Sequence, residues 1–224
     1  MIRYALAAAL LTAAAPAVAQ TSYRAVGTEP FWSVTIEGGR MVYEDPEGKR
    51  ISVRAPRARP MRAGRSYVTQ RLRLTIFRGQ ECSDGMSDRR YADSVRAIVD
   101  GRRLEGCGGA ILPPESLADT SWEIVAIDGA PVHGGDQYRM EFARDRLTGK
   151  AGCNSFSGAY RVGRDGFQAG PLAMTRMACP GQLMAHEQAV SRILAGRVRL
   201  YYPDGTTLVM RGAGVGEIRL KRTI

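Results

Sequence analysis

Four cysteines, two histidines and a dense block of arginines are the residues of this 224-residue chain whose chemistry asks for an explanation. Cys82 and Cys107 lie in the first half, Cys153 and Cys179 in the second. A cysteine nucleophile needs a thiolate and a nearby base. The first half has no histidine, and the second has only His133 and His186. Cys153 with His186 as base is the one arrangement of this kind to weigh, and a disulfide at Cys153 would consume its thiolate. A zinc site normally needs closely spaced pairs such as C-x₂-C, and none occurs. His186-Glu187 lacks the second histidine four residues on that a zincin helix requires. His186 falls beside the apolar helical face and is expected to be exposed; His133, in a glycine-rich loop, is expected to be solvated. There is no G-x-S-x-G elbow, and no acid stands out as half of a glycosidase pair. The Ser, Asp and Gly residues of Cys82–Asp88 read as turn formers rather than as a calcium loop. No catalytic residue, metal or cofactor is expected. The four cysteines allow three pairings. Pairing within each half is favoured, because each half carries enough strand signals to fold alone. Closing a loop of about 25 residues is worth roughly 3 kcal/mol on the chain-entropy account.

The basic residues are unevenly placed. The chain carries 32 Lys+Arg against 22 Asp+Glu, a net charge of +10. Lys49–Gln80 alone contains ten basic residues and no acid. Part of that run alternates as Arg71-Leu72-Arg73-Leu74, which is a solvated strand face. Arg57, Arg59 and Arg62 fall in a proline-containing loop and are the residues expected to meet an anionic partner, either lipid or an envelope polymer. Nucleic acid is not expected, since no recognition module occurs.

The elements that position these residues are short strands. Phe31–Ile36 with Arg40–Tyr43, and Val95–Val99 with Arg102–Cys107 across Asp100-Gly101, read as hairpins. Ile51–Arg54 and Arg71–Ile76 are further strands, with Arg57–Arg65 a loop between them. Pro113-Pro114 begins a stiff linker. In the second half Ser121–Ile127, Tyr138–Phe142, Ser157–Val162, Phe167–Ala169, Arg197–Tyr202, Thr207–Met210 and Glu217–Lys221 read as strands, and Asp145–Thr148 as a turn. Gln182–Ala195 places Leu183, Val190, Ile193 and Leu194 on one helical face. The fold class is therefore mainly β: two small antiparallel barrel- or sandwich-like domains, the second with one α-helix packed on it. Residues 20–112 form the first domain, 113–116 the linker and 117–224 the second domain.

The N-terminus reads as a secretory signal peptide over residues 1–19. Arg3 supplies the positive region, Ala5–Ala15 the apolar stretch, and Ala17-Val18-Ala19 the cleavage site. No cysteine lies near that site, so no lipoprotein is expected. Export to the periplasm or beyond would put the cysteines in an oxidising compartment.

Two resemblances add to this reading. The block Gly152-Cys153-Asn154-Ser155-Phe156-Ser157-Gly158, the block Thr175-Arg176-Met177-Ala178-Cys179 and the downstream Glu187 together resemble the META domain, also called the HslJ-type heat-inducible domain, over roughly Leu117–Ile224. The resemblance implies a fold, an envelope setting and a link to stress tolerance, and no assigned chemistry. Members are often lipoproteins, and this chain lacks the cysteine for that. Gly27–Trp32, Cys82–Asp88 and Gly106-Cys107-Gly108 resemble an uncharacterised exported domain often found beside META domains. Within the META-like blocks, Asn154 is expected to bond its local backbone turn, and Asn154, Thr175 and Arg176 are the polar groups that could face an anionic ligand. The expectation is a monomeric, non-catalytic exported envelope protein that acts by binding. The alternatives are a lipid or peptide carrier of pilot-like type, and an enzyme whose site carries no known signature.

Overall fold

Alternation of apolar and polar residues organises the first half into one sheet. The computed structural model describes residues 22–223, and the expected signal peptide lies outside them. The strands are β1 (Tyr23–Thr28), β2 (Phe31–Glu37), β3 (Arg40–Glu44), β4 (Arg50–Arg54), β5 (Arg59–Met61), β6 (Gly64–Val68), β7 (Leu72–Ser83), β8 (Arg90–Val99) and β9 (Arg102–Ile111). They pair in the order β4-β3-β2-β1-β9-β8-β7-β6-β5, antiparallel throughout. The sheet curls into a half-barrel around Trp32, Val34, Met41, Leu72, Leu74 and Ile76, all buried. The Trp32 ring lies against the backbone of Gly27 and Gly106, where any Cβ would collide with it. Those two glycines leave room for the largest side chain of this core.

The open edges of the half-barrel are β4 and β5, which are consecutive in the chain. Only residues 55–58 join them. The five Cα–Cα steps from Arg54 to Arg59 span at most about 18 Å, which limits the width of the seam where the link crosses it. The region expected to be a loop, Arg57–Arg65, instead contains β5 and the start of β6. Gly64 makes this possible, because its missing side chain lets β6 run against the Ile76 carbonyl of β7.

The second half forms β10 (Thr120–Ile127), β11 (Ala130–Pro131), β12 (Tyr138–Phe142), β13 (Arg146–Ala151), β14 (Ser155–Gly163), β15 (Gly166–Ala169), β16 (Ala173–Met174), α1 (Gly181–Leu194), β17 (Arg197–Asp204), β18 (Thr207–Gly212) and β19 (Gly216–Thr223). Eight of these strands run β10-β12-β13-β14-β15-β17-β18-β19, and β19 pairs back onto β10 to close a barrel. Closure removes the unpaired edges that a sheet otherwise exposes. The barrel interior is filled by Trp122, Phe142, Leu147 and Phe167 among others, and α1 adds Val190, Ile193 and Leu194 to the same core. Strand β13 was not expected from the sequence. Its inward positions are Leu147, Gly149 and Ala151, and Gly149 is where the Phe156 ring packs. Small inward residues hide the period-two signal.

Among the described residues, no helix is long and apolar enough to cross a membrane.

Candidate functional site

The META-like blocks meet at one buried polar knot. Helix α1 is held there by Gly152, whose φ of 111° lies in the region that favours glycine. A Cβ at this position would sit 2.9 Å from the Leu183 carbonyl oxygen and 3.1 Å from Glu187 Oε1. The close approach lets the Glu187 carboxylate reach the turn between β13 and β14. Glu187 Oε1 accepts the backbone N–H groups of Cys153 (3.1 Å) and Asn154 (2.9 Å). Its Oε2 accepts Asn154 Nδ2–H at 2.8 Å. No cation pairs with this buried carboxylate among the described residues. Three N–H dipoles compensate the charge instead.

Asn154 is 3% exposed and uses its whole side-chain amide. Nδ2 donates to Glu187 and to the Met177 carbonyl (3.1 Å). Oδ1 accepts from Thr175 Oγ1 (2.9 Å) and from the Met177 N–H (2.8 Å). Thr175 Oγ1 in turn accepts the Ser155 N–H at 3.0 Å. The expectation that Asn154 bonds its local turn is corrected here. Its partners lie 21 to 33 residues away, because β16 and α1 both fold back over the turn. The polar atoms of Asn154 and the hydroxyl of Thr175 are thus engaged within the chain. Thr175 and Arg176 are exposed, and Arg176 alone of the trio has no side-chain partner among the described residues.

Cys153 and Cys179 are joined by a disulfide that clamps the knot, and Cys82 and Cys107 form the second bridge. Both pairings fall within a half, as the sequence suggested. Ligand atoms of Cys153, Cys179 and Glu187 cluster within 4.8 Å, a grouping that could hold a metal ion. The sulfurs are bonded to each other and the carboxylate accepts three N–H groups, so the donor set does not fit one in this state. His186, expected to be exposed, is half-buried, and its Nδ1 hydrogen-bonds the Tyr138 hydroxyl at 2.7 Å. Burial, and then the nearby Glu187 charge, raise the Tyr138 pKa. His133 is exposed, as expected.

A second buried carboxylate organises the half-barrel and was missed in the sequence. Register shifts break the β7–β8 ladder between Arg78 and Cys82 and the β8–β9 ladder between Tyr91 and Asp93. Such bulges re-aim side chains. Asp93, 8% exposed, accepts the Tyr23 hydroxyl (3.1 Å) and the Gly79 N–H (3.2 Å). Burial foremost, then the Asp93 charge and hydrogen bond, push the Tyr23 hydroxyl far above its ordinary pKa. The Arg65 guanidinium lies over the Tyr23 and Tyr67 rings at 5.5 and 5.6 Å. A signal was present: alternation along β8 puts Asp93 inward with Tyr91 and Val95.

The three stretches of the second resemblance also converge. Thr28 Oγ1 donates to the Asp84 carbonyl (2.7 Å), and a groove of about 370 Å³ lies beside the Cys82–Cys107 bridge, edged by Thr28, Ser94 and Glu105. Asp84 closes its own turn by accepting from the N–H groups of Met86 and Ser87 and from the Ser87 hydroxyl.

The basic run is less uniform than its sequence suggests. Arg50 pairs with Glu44, and Lys49 and Arg71 both pair with Asp100. Arg57, Arg59 and Arg62 are exposed on and beside the edge strand β5, and among the described residues no carboxylate pairs with them.

A curled half-barrel followed by a closed eight-stranded barrel with a helix packed into its core defines a two-part β protein. Residues 115–223, in the C-terminal half, match the META domain model. A solved NMR structure of a protein from Burkholderia xenovorans is similar, with 22% identity over 48% of this chain and 83% of that chain, at a TM-score of 0.41. A second NMR structure of a protein is 25% identical over 49% of this chain and 94% of its own, at a TM-score of 0.43. No curated protein matches the chain.

Proposed function

We propose that this is a non-catalytic exported protein of the cell envelope that acts by binding an anionic surface, and that the seam of the half-barrel makes the contact. The observation that carries this reading is the placement of Arg57, Arg59 and Arg62. Arg57 lies in the link between β4 and β5, Arg59 on the edge strand β5 and Arg62 in the β5–β6 turn, all exposed and without carboxylate partners among the described residues. Guanidinium groups so placed are free to pair bidentately with phosphate or carboxylate oxygens. Met61, 47% exposed on the same short strand, supplies an apolar contact beside them. Two disulfides favour an oxidising compartment, in keeping with the signal-peptide reading of residues 1–19. The HslJ-type resemblance extends the proposal to a role in envelope stress. A carrier that holds an acyl chain inside the barrel is less favoured, because core side chains and α1 fill that interior.

The test is sedimentation with vesicles. The protein should bind phosphatidylglycerol vesicles and not phosphatidylcholine vesicles. Binding should fall steeply between low and physiological salt, and fall at least tenfold when Arg57, Arg59 and Arg62 are all changed to Glu. Binding indifferent to both salt and charge reversal would remove the proposal.

A further inference from the structure

A second basic surface lies on the barrel, far in sequence from the seam. A groove of about 810 Å³ opens where the β14–β15 turn meets β17 and β18, and Arg164, Arg197, Arg199 and Arg211 line it. Asp165 is the one acid in its lining. Arg197 and Arg199 are two residues apart on β17, so both side chains leave the same face about 7 Å apart. Arg199 sits directly opposite Arg211 of β18 in the ladder, with the strands about 5 Å apart. Like charges directly opposite destabilise a sheet. Glu217 relieves only part of the repulsion: its Oε2 accepts Arg211 Nε (3.0 Å) and Nη2 (2.7 Å), while its Oε1 lies 3.6 Å from Arg219. Among the described residues, no carboxylate pairs with Arg164, Arg197 or Arg199.

We infer that this groove is a binding site for a compact polyanion bearing two or more adjacent phosphoryl groups. A concave surface of one sign concentrates counter-ions. Guanidinium forks spaced by about one strand separation can each take one phosphoryl group in a bidentate pair. A ligand of this class offsets the Arg199–Arg211 repulsion that the fold leaves standing. The same chemistry is offered by a soluble oligophosphate and by a phosphorylated lipid headgroup. The site is distinct from the seam, so its fate does not depend on Arg57, Arg59 or Arg62.

The experiment is calorimetric titration of the full chain with inorganic tripolyphosphate, run on the wild type, on Arg197→Glu/Arg199→Glu, and on Arg57→Glu/Arg59→Glu/Arg62→Glu. All five arginines are exposed, so both variants should fold, and circular dichroism checks this. Saturable binding weakened at least tenfold by the barrel variant, and by less than twofold by the seam variant, is the expected result. Arg199→Lys, which keeps the charge but loses the fork, should weaken binding several-fold. No saturable binding by the wild type, or equal weakening by both variants, would overturn the inference. Vesicles carrying a diphosphorylated headgroup then distinguish the sources. If the barrel variant also loses vesicle binding, the ligand is a headgroup; if it loses only tripolyphosphate binding, the ligand is soluble. Either result supports the site.

Discussion

Glu187 shows how one side chain can fasten three segments. Its carboxylate ties α1 to the turn after β13, and through Asn154 to the segment after β16. Glu187→Ala leaves the backbone N–H groups of Cys153 and Asn154 without their acceptor, while the Asn154 amide keeps the Met177 carbonyl. Each unsatisfied buried group costs about 1–3 kcal/mol, so the variant should lose roughly 2–6 kcal/mol in urea unfolding. Glu187→Gln keeps one acceptor oxygen and should lose less. An unchanged midpoint for both would mean that the knot does not hold the fold. Tyr23 gives a pH prediction. Its folded pKa is raised, so its contribution is fully present below about pH 10, the ordinary tyrosine value, and is lost as pH rises through the folded value. Tyr23→Phe should flatten the alkaline limb of the stability profile, measured as Tm against pH. Tyr43, pushed up to about 12 chiefly by burial and then by its hydrogen bond to Asp45, adds to the same limb and would remain in that variant. At this scale the sequence was partly legible. Glu187 could be named from the resemblance, but its partners are as much as 34 residues away, and spacing alone does not show such a contact. Asp93 was legible in principle, as an acid at an inward position of a strand.

Among the elements, tight turns were the easiest to foresee. Asp100 and Gly101 adopt positive φ values of 47° and 88° between β8 and β9, as an Asp-Gly hairpin turn requires. Asp100 also anchors neighbouring loops. Hydrogen bonds from Arg71 first, then from Lys49, hold its carboxyl well below the usual carboxylate range. A depressed pKa stabilises the fold above about pH 4, and the gain is lost as pH falls toward the folded value. Asp100→Asn should therefore lower Tm at neutral pH and change it little in acid, where the gain is already lost, so the acid dependence of Tm lessens. The helix was legible from its apolar face, and its buried residues include Val190, Ile193 and Leu194. Strands β1, β13 and β5 were not read from the sequence. In β13 small inward residues carry no hydrophobic signal, and β5 has three exposed residues including a proline. The Cys82–Cys107 disulfide closes a loop around β8, and the Cys153–Cys179 disulfide closes one around β14, β15 and β16. Replacing Cys153 and Cys179 together by Ser should cost roughly 3 kcal/mol, read from chemical unfolding, and should leave anion binding intact while the chain is folded. A matched loss of binding in the folded variant would place the binding site at the knot.

At the scale of the molecule, polar cohesion and exposed charge are kept apart. The carboxylates of Glu187 and Asp93 are turned inward and satisfied by N–H and O–H donors, while unpaired guanidinium groups collect on outer surfaces, at the seam of the half-barrel and in the groove on the barrel. Arg222 of β19 is an exception. Its side chain is only 5% exposed, and it pairs with Asp88 of the first half, so one ion pair links the two sheets. The division of roles predicts that stability and binding respond to different residues. The most direct measurement is vesicle binding by folded Glu187→Gln and by the Arg57/Arg59/Arg62 charge-reversal variant, side by side with the wild type on phosphatidylglycerol at low salt. The account predicts wild-type binding for Glu187→Gln and at least a tenfold loss for the charge reversal. Loss of binding in folded Glu187→Gln, with the reversal variant still bound, would contradict it and move the functional centre to the knot.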